Sequence, residues 1–171
     1  MAQNKTEFSK LLVLVDGSQP SFNAVDYAIA LANKECHSNN PQILIALHVV
    51  SSRLGYAYSP SGAYGSSGLN APGTVMDLLE NTRRNAKVWF DKIRQKINNI
   101  NNNGSSNILL QTEVVVTATS IVSAIVEYAR NKNVDLIITG TRGRSGFKKI
   151  LLGGVASGVI THASCSIMVV K

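Results

Sequence analysis

Two short stretches carry the residues that could do chemistry. "VDGS" places Asp16 directly after the apolar run Lys10–Val15, and "GTRGRSGFKKILLGGV" starts at Gly140, directly after the apolar run Val134–Thr139. A carboxylate at a strand tip can accept hydrogen bonds from ribose hydroxyls or help to hold a metal. It can equally cap the turn that follows, and the local Asp-Gly-Ser sequence suits that role. Gly140 and Gly143 are expected to let the chain turn tightly, to adopt conformations closed to other residues, and to present successive N–H groups to an anion. Gly153 and Gly154 follow, and Val155 then opens an apolar helical pattern. A helix start offers unpaired N–H groups and a partial positive charge, which suits a phosphate. Arg142 lies between the first two glycines and is a candidate phosphate neighbour. The alternative, which it shares with Arg144, Lys148 and Lys149, is a solvated basic face.

Other chemistries lack their residues. No GK[ST] follows a GxxxxGK-type loop, and no GxGxxG follows the first apolar run, so phosphoryl transfer by a loop lysine and hydride transfer both lose support. His37, His48 and His162 are scattered, and Cys36 and Cys165 form no CxxC pair. A zinc site and a disulfide framework are therefore not expected, and both thiols read as buried or partly buried. His48 sits inside an apolar run and reads as a core or strand-end histidine. No general base is identifiable, so the reading leans against an enzyme.

The elements that must position Asp16 and the glycines alternate strictly. Apolar runs rich in Val, Ile and Leu occur at Lys10–Val15, Ile43–Val50, Ile108–Val116, Val134–Thr139 and Ile167–Val170. Gln111, Thr112 and Glu113 mark the third as an edge strand. Helical stripes lie between the runs: Phe22, Val25, Ile29 and Ala32; Val75, Leu78, Thr82, Ala86, Trp89, Ile93 and Ile97; Ile121, Ala124, Ile125, Tyr128 and Ala129; Val155, Val159, Ile160 and Ala163. Ser18 with Pro20 opens the first helix, and Thr119 or Ser120 the third. Such alternation predicts a single α/β domain with a parallel sheet covered by helices on both faces. In these sheets ligands bind outside the carboxyl ends of strands, where the strand order reverses. If the first and fourth strands are neighbours there, Asp16 faces the glycine loop.

Asn98–Asn107 reads as a turn region. Ser51–Thr74, rich in Gly, Ser, Ala and Tyr, reads as a long loop: either a lid or partner loop, or a disordered insertion. With 171 residues, 44% hydrophobic and 16% charged, the composition is globular. The net charge of +7 favours anionic partners. No recognised nucleic-acid motif is present, so nucleic acid is an unfavoured partner. No apolar run approaches a membrane span and the first residues hold no apolar signal core, so a cytoplasmic protein is expected.

"LLVLVDGS", "AVDYAIALA", "LHVV", "AIVEYA", "VDLIITGTRG" and "ILLGGVASGVITHASCSIMVVK" together resemble the universal stress protein family along nearly the whole chain. That family's nucleotide signature is G-x2-G-x9-G-[ST]; here it reads Gly140-x2-Gly143-x9-Gly153, followed by Gly154. The resemblance implies a five-stranded parallel sheet of order 3-2-1-4-5 in a Rossmann-like fold. In ATP-binding members the aspartate ending the first strand sits by the ribose, which implies Asp16. The backbone after the second strand's histidine lies by adenine, which implies Val49. The glycine loop and the helix start cradle the phosphates, which implies Gly140, Arg142, Gly143, Gly153, Gly154 and Val155. The implied ligand is ATP, with AMP or ADP as alternatives and Mg2+ accompanying the nucleotide. Slow ATP hydrolysis stays open.

Gly154 departs from the signature's Ser or Thr. A lost hydroxyl contact to a charged phosphate is worth roughly 1.5–3 kcal/mol, or about ten- to a hundredfold in affinity. The expected consequence is a shift in preference toward AMP or another short phosphate, unless Thr141, Ser145 or Ser157 compensates. The alternative reading is a nucleotide-free dimeric interaction module. The family commonly dimerises through its last strand, and a homodimer through "IMVV" is expected because an open apolar edge invites association.

Overall fold

The computed structural model describes residues 8–35, 41–52, 75–102, 106–143 and 152–171. In chain order the elements are β1 (Lys10–Leu14), α1 (Gln19–Glu35), β2 (Gln42–Ser51), α2 (Val75–Asn102), β3 (Ile108–Thr117), α3 (Ile121–Asn131), β4 (Leu136–Gly140), α4 (Gly154–His162) and β5 (Ser166–Val170). The strands form one parallel sheet of order β3-β2-β1-β4-β5. β1 thus lies between β2 and β4, and the strand order reverses at the β1–β4 pair, as the sequence requires for Asp16 to meet the glycine loop.

The central position of β1 explains its unbroken apolar run. Successive strand side chains point to opposite faces. Leu11 and Val13 pack with α1 and α2, while Leu12 and Leu14 pack with α3 and α4. Leu11, Leu12 and Val13 are wholly buried. Burying each such side chain is worth about 1.5–3 kcal/mol, so the two-sided core holds the carboxyl end of β1 in place. β3, at the sheet edge, alternates between more and less exposed positions, and Gln111 and Glu113 point outward as expected.

Two expectations need correction. The segment 98–107 is not simply a turn: α2 continues to Asn102. Ile97 is buried and Ile100 packs on the same core, so the helix gains apolar burial in its last turns. Its end is fastened by the Asn101 side chain, whose amide donates to the Ile108 carbonyl at 3.0 Å and whose oxygen accepts from the Ile108 N–H at 3.2 Å. In α4 the buried residues are Ala156 and Val159, whereas Val155 and Ile160 of the expected stripe are exposed. Close packing of α4 on α3 explains the shift. Gly158 seats against Val122, where a Cβ would stand 2.6 Å from the valine methyl. Small residues therefore form the contact face, and the larger ones turn outward.

Of the loop 51–74, only Ser51 and Ser52 lie within the described residues, and Ser52 continues the β2–β3 pairing through its N–H to the Thr117 carbonyl at 2.8 Å. Arg144, Ser145, Lys148, Lys149 and Cys36 lie outside the described residues. Cys165 is half-buried against the α3–α4 core, and burial pushes its thiol pKa up. Among the described residues no helix is long and apolar enough to cross a membrane.

Candidate functional site

The crevice arises where β1 and β4 part. Beyond its last paired residue, β1 stays tied to β2: the Val15 N–H donates to the Leu47 carbonyl at 2.9 Å, and His48 Nδ1 meets the Val15 carbonyl at 2.7 Å. A carbonyl only accepts, so His48 carries its proton on Nδ1. β4 leans the other way, toward β5, through the Thr141 N–H to the Val170 carbonyl at 2.8 Å. Two adjacent strands pulled to opposite neighbours leave a gap at the switch point, as open α/β sheets do.

On the β1 side, Asp16 caps the turn that follows, as one reading of it expected, and borders the cavity. Its Oδ1 accepts from the Ser18 N–H at 3.0 Å and the Ser18 hydroxyl at 2.6 Å. Ser18 in turn starts α1: its hydroxyl accepts from the Ser21 N–H at 3.3 Å and its carbonyl from the Phe22 N–H at 3.1 Å. One carboxylate oxygen thereby braces the helix start. The other, Oδ2, lies against Gly143, where a Cβ would stand 2.7 Å from it. The turn between them runs through Gly17 at φ +82°, a conformation costly for any residue with a Cβ.

On the β4 side, the glycines do not adopt the unusual conformations expected of them. Gly17 is the positive-φ glycine among the described residues, so Gly140, Gly143, Gly153 and Gly154 adopt no left-handed conformation. Space is the constraint instead. A Cβ on Gly140 would come within 2.7 Å of the Pro20 carbonyl group, so this glycine lets α1 approach the sheet. The Gly153 N–H donates to the Thr141 carbonyl at 2.8 Å, which ties the start of α4 to the end of β4. Gly153 is the N-cap of α4, and no side chain caps the helix. The first-turn amides of Gly154, Val155 and Ala156 are the groups that a helix start leaves for an external acceptor. A Cβ on Gly154 would meet nothing within 4 Å. Arg142 Nε is buried without a hydrogen-bond partner in the described structure. Buried donors of that kind are rare and call for an acceptor.

These groups line one cavity of about 450 Å³. Asp16 and Val49 border it from the β1–β2 side, and Gly140, Arg142, Gly143, Gly153, Gly154 and Val155 from the β4–α4 side. These eight residues named in the sequence for the cleft therefore lie on its wall, whereas Thr141 and Ser157, offered there as compensating hydroxyls, do not line it. The volume suits a small organic ligand. Among the described residues no group of three or more His, Cys, Asp or Glu could hold a metal.

Further lining residues were not singled out. Thr82, Asn85 and Trp89 of α2 and His48 of β2 also face the cavity. Trp89 and Thr82 were read as part of a core stripe, and half of that reading holds: Trp89 packs partly on the core formed by Phe90 and Ile93. The signal that could have found them is the polar Thr82 in an otherwise apolar stripe, with Asn85 and Trp89 one and two turns further on.

A family model described as the universal stress protein family matches residues 7–171. A universal stress protein of Methanocaldococcus jannaschii is 31% identical over 166 residues, covering 96% of this chain and 82% of its own. Among solved structures, the universal stress protein UspA of Lactobacillus plantarum superposes with a TM-score of 0.68 at 24% identity, covering 97% of this chain and 99% of its own. A universal stress protein of Archaeoglobus fulgidus in complex with dAMP has a TM-score of 0.57 at 18% identity, covering 96% of this chain and 98% of its own. A universal stress protein in complex with cAMP has a TM-score of 0.56 at 21% identity, covering 97% and 98%. The α/β sheet of order 3-2-1-4-5 and the match along nearly all of its length lead to one conclusion: the chain belongs to the universal stress protein family.

Proposed function

We propose that the protein binds an adenine nucleotide in this cleft and acts as a regulatory stress-response module, with ligand-dependent conformation or assembly as its output. The observation that carries this reading is the shared cavity of Asp16 and the first-turn amides of α4. Asp16 would accept from the ribose hydroxyls. The amides of Gly154 and Val155 would hold a phosphate, with the buried Arg142 Nε beside it, and the Val49 backbone would meet the base. Two proteins of the same fold hold cAMP and dAMP, which are ligands of this class.

ATP is the ligand the family resemblance implies, but Gly154 narrows its advantage over AMP. The position faces open space and has no hydroxyl to offer to a longer phosphate chain. A Mg2+ ion would arrive with the nucleotide phosphates, since the described residues form no metal cluster of their own. The exposed edge of β5 supports a homodimer. β5 pairs with β4 on one side, and Ile167, Met168 and Val169 are only half-buried. Pairing with a second copy would cover that edge.

Calorimetric titration of the purified chain with ATP and with AMP tests the proposal, together with mass spectrometry of co-purified small molecules. Binding of either nucleotide supports it. No binding at millimolar nucleotide, with nothing co-purified, overturns it and leaves the nucleotide-free interaction module. Sedimentation analysis tests the dimer independently; a monomer at all concentrations removes it.

A further inference from the structure

We infer that one face of α2, carrying Thr82, Asn85 and Trp89, is the base-reading wall of the cleft, with the indole of Trp89 as the surface against which the nucleobase packs. The inference rests on the nucleotide reading above and specifies which part of the chain recognises the base.

Spacing supplies the first support. Thr82, Asn85 and Trp89 recur at three and four residues, so they share one helix face, and all three line the cavity. Ala86, Phe90, Ile93 and Ile97 occupy the neighbouring face and are buried in the core. α2 thus has a core stripe and, beside it, a cavity stripe.

The second support is that the indole is held in place. Its six-membered ring seats on Gly17: a Cβ there would stand 2.3 Å from Trp89 Cζ2 and 2.5 Å from Cε2. On another side the His48 ring meets it edge-to-face, with centroids 5.2 Å apart and planes at 88°. His48 is itself oriented by the Val15 carbonyl. An aromatic surface fixed before the ligand arrives loses little freedom on binding.

The third support is position. Gly17 directly follows Asp16, so the indole packs on the turn that carries the carboxylate. A ribose gripped at Asp16 holds its base within reach of this wall. The side chains of Thr82 and Asn85 and the indole N–H make no hydrogen bond to the described residues, and Asn85 is exposed at the cavity. An amide supplies both a donor and an acceptor, which is what the edge of adenine requires.

The test compares AMP with ribose 5-phosphate, which keeps the sugar and phosphate but lacks the base. Trp89→Leu is expected to weaken AMP by about tenfold, the scale of one lost base–aromatic stack, and to leave ribose 5-phosphate unchanged. Asn85→Ala, at an exposed position, is expected to narrow the preference for AMP over inosine monophosphate. The chain has a single Trp, so its fluorescence reports directly on this wall: AMP should alter the emission of the wild-type chain, and ribose 5-phosphate should not. If Trp89→Leu fails to fold, the emission and Asn85→Ala decide the matter. A folded Trp89→Leu that binds AMP like wild type overturns the inference, and so does emission indifferent to bound AMP. AMP binding by the wild type with these results leaves the proposed function standing; a wild type that binds no nucleotide removes both.

Discussion

Asp135 and Asp16 stand at opposite ends of the same two strands, and the fold uses them differently. At the amino end, a single oxygen of Asp135 accepts from the Ser9 N–H at 2.9 Å, the Ser9 hydroxyl at 2.8 Å and the Lys10 N–H at 2.9 Å. The Asp135 N–H returns a bond to the Lys10 carbonyl at 3.0 Å. β1 and β4 run together there, and the carboxylate is a clamp across the seam. At the carboxyl end the strands are drawn apart. Asp16 gives Oδ1 to the α1 turn and sets Oδ2 against Gly143 on the cavity wall. The same side chain is structural where the backbone converges and cavity-facing where it diverges. Strand geometry, more than residue type, decides which.

If that contrast is right, the two aspartates should separate stability from binding. The largest expected effect is on stability. Asp135→Ala should lose about 1.5–3 kcal/mol, the scale of one hydrogen bond to a charged group because the seam is partly solvated. For a chain of this size that is a fall in Tm of roughly 4–10 °C, while AMP affinity at 25 °C stays within about twofold of wild type, less than 0.5 kcal/mol. A large loss of affinity in this variant would break the comparison.

Asp16→Asn should show the converse. The amide oxygen can still accept from Ser18, so Tm should hardly move. If Asp16 grips the ribose as proposed, removing its charge should weaken AMP and ATP by about ten- to a hundredfold. Unchanged titration curves would make Asp16 a second clamp and nothing more.

Gly154→Ser sharpens the cavity-facing side. The new side chain meets open space, so folding should tolerate it. The restored hydroxyl should tighten ATP by up to about tenfold relative to AMP, when both are titrated in the presence of Mg2+. An unchanged ATP-to-AMP ratio would show that phosphates do not reach this turn. The smallest effect belongs to Ser18→Ala, which removes the α1 cap and one of the Asp16 contacts. A loss of about 1 kcal/mol is expected, together with a modest weakening of AMP as the carboxylate loses its brace. Thermal melts and the same titration check both parts.

The fold was legible because each element carries its own period. β1 and β4 read as unbroken apolar runs because both faces of each are covered, and β3 read as an edge because Gln111, Thr112 and Glu113 interrupt it. The end of α2 was not legible. Asparagines at 98–102 look like a turn, and only the packing of Ile100 and the clasp from Asn101 to Ile108 extend the helix through them. The exposed face of α4 was misread for a related reason. Val155 and Ile160 are apolar, but Gly158 is what lets α4 lie close to α3, and the contact follows the small residues. In the cleft, Asp16 and the glycine loop stood out by spacing, whereas Trp89 was hidden because a helix period does not distinguish a core contact from a cavity wall.

The amino-acid sequence alone determined the alternation of strands and helices, the acid at the end of β1 and the glycine spacing after β4, because these depend on local periodicity and on which side chains are absent. Only the tertiary structure decided why the glycines are needed. Gly140 makes room for Pro20, Gly153 ties α4 to the end of β4 through its amide, and Gly17 takes the left-handed turn that seats Trp89. Those requirements come from neighbours distant in sequence, and crowding between distant segments exists only once the chain has folded.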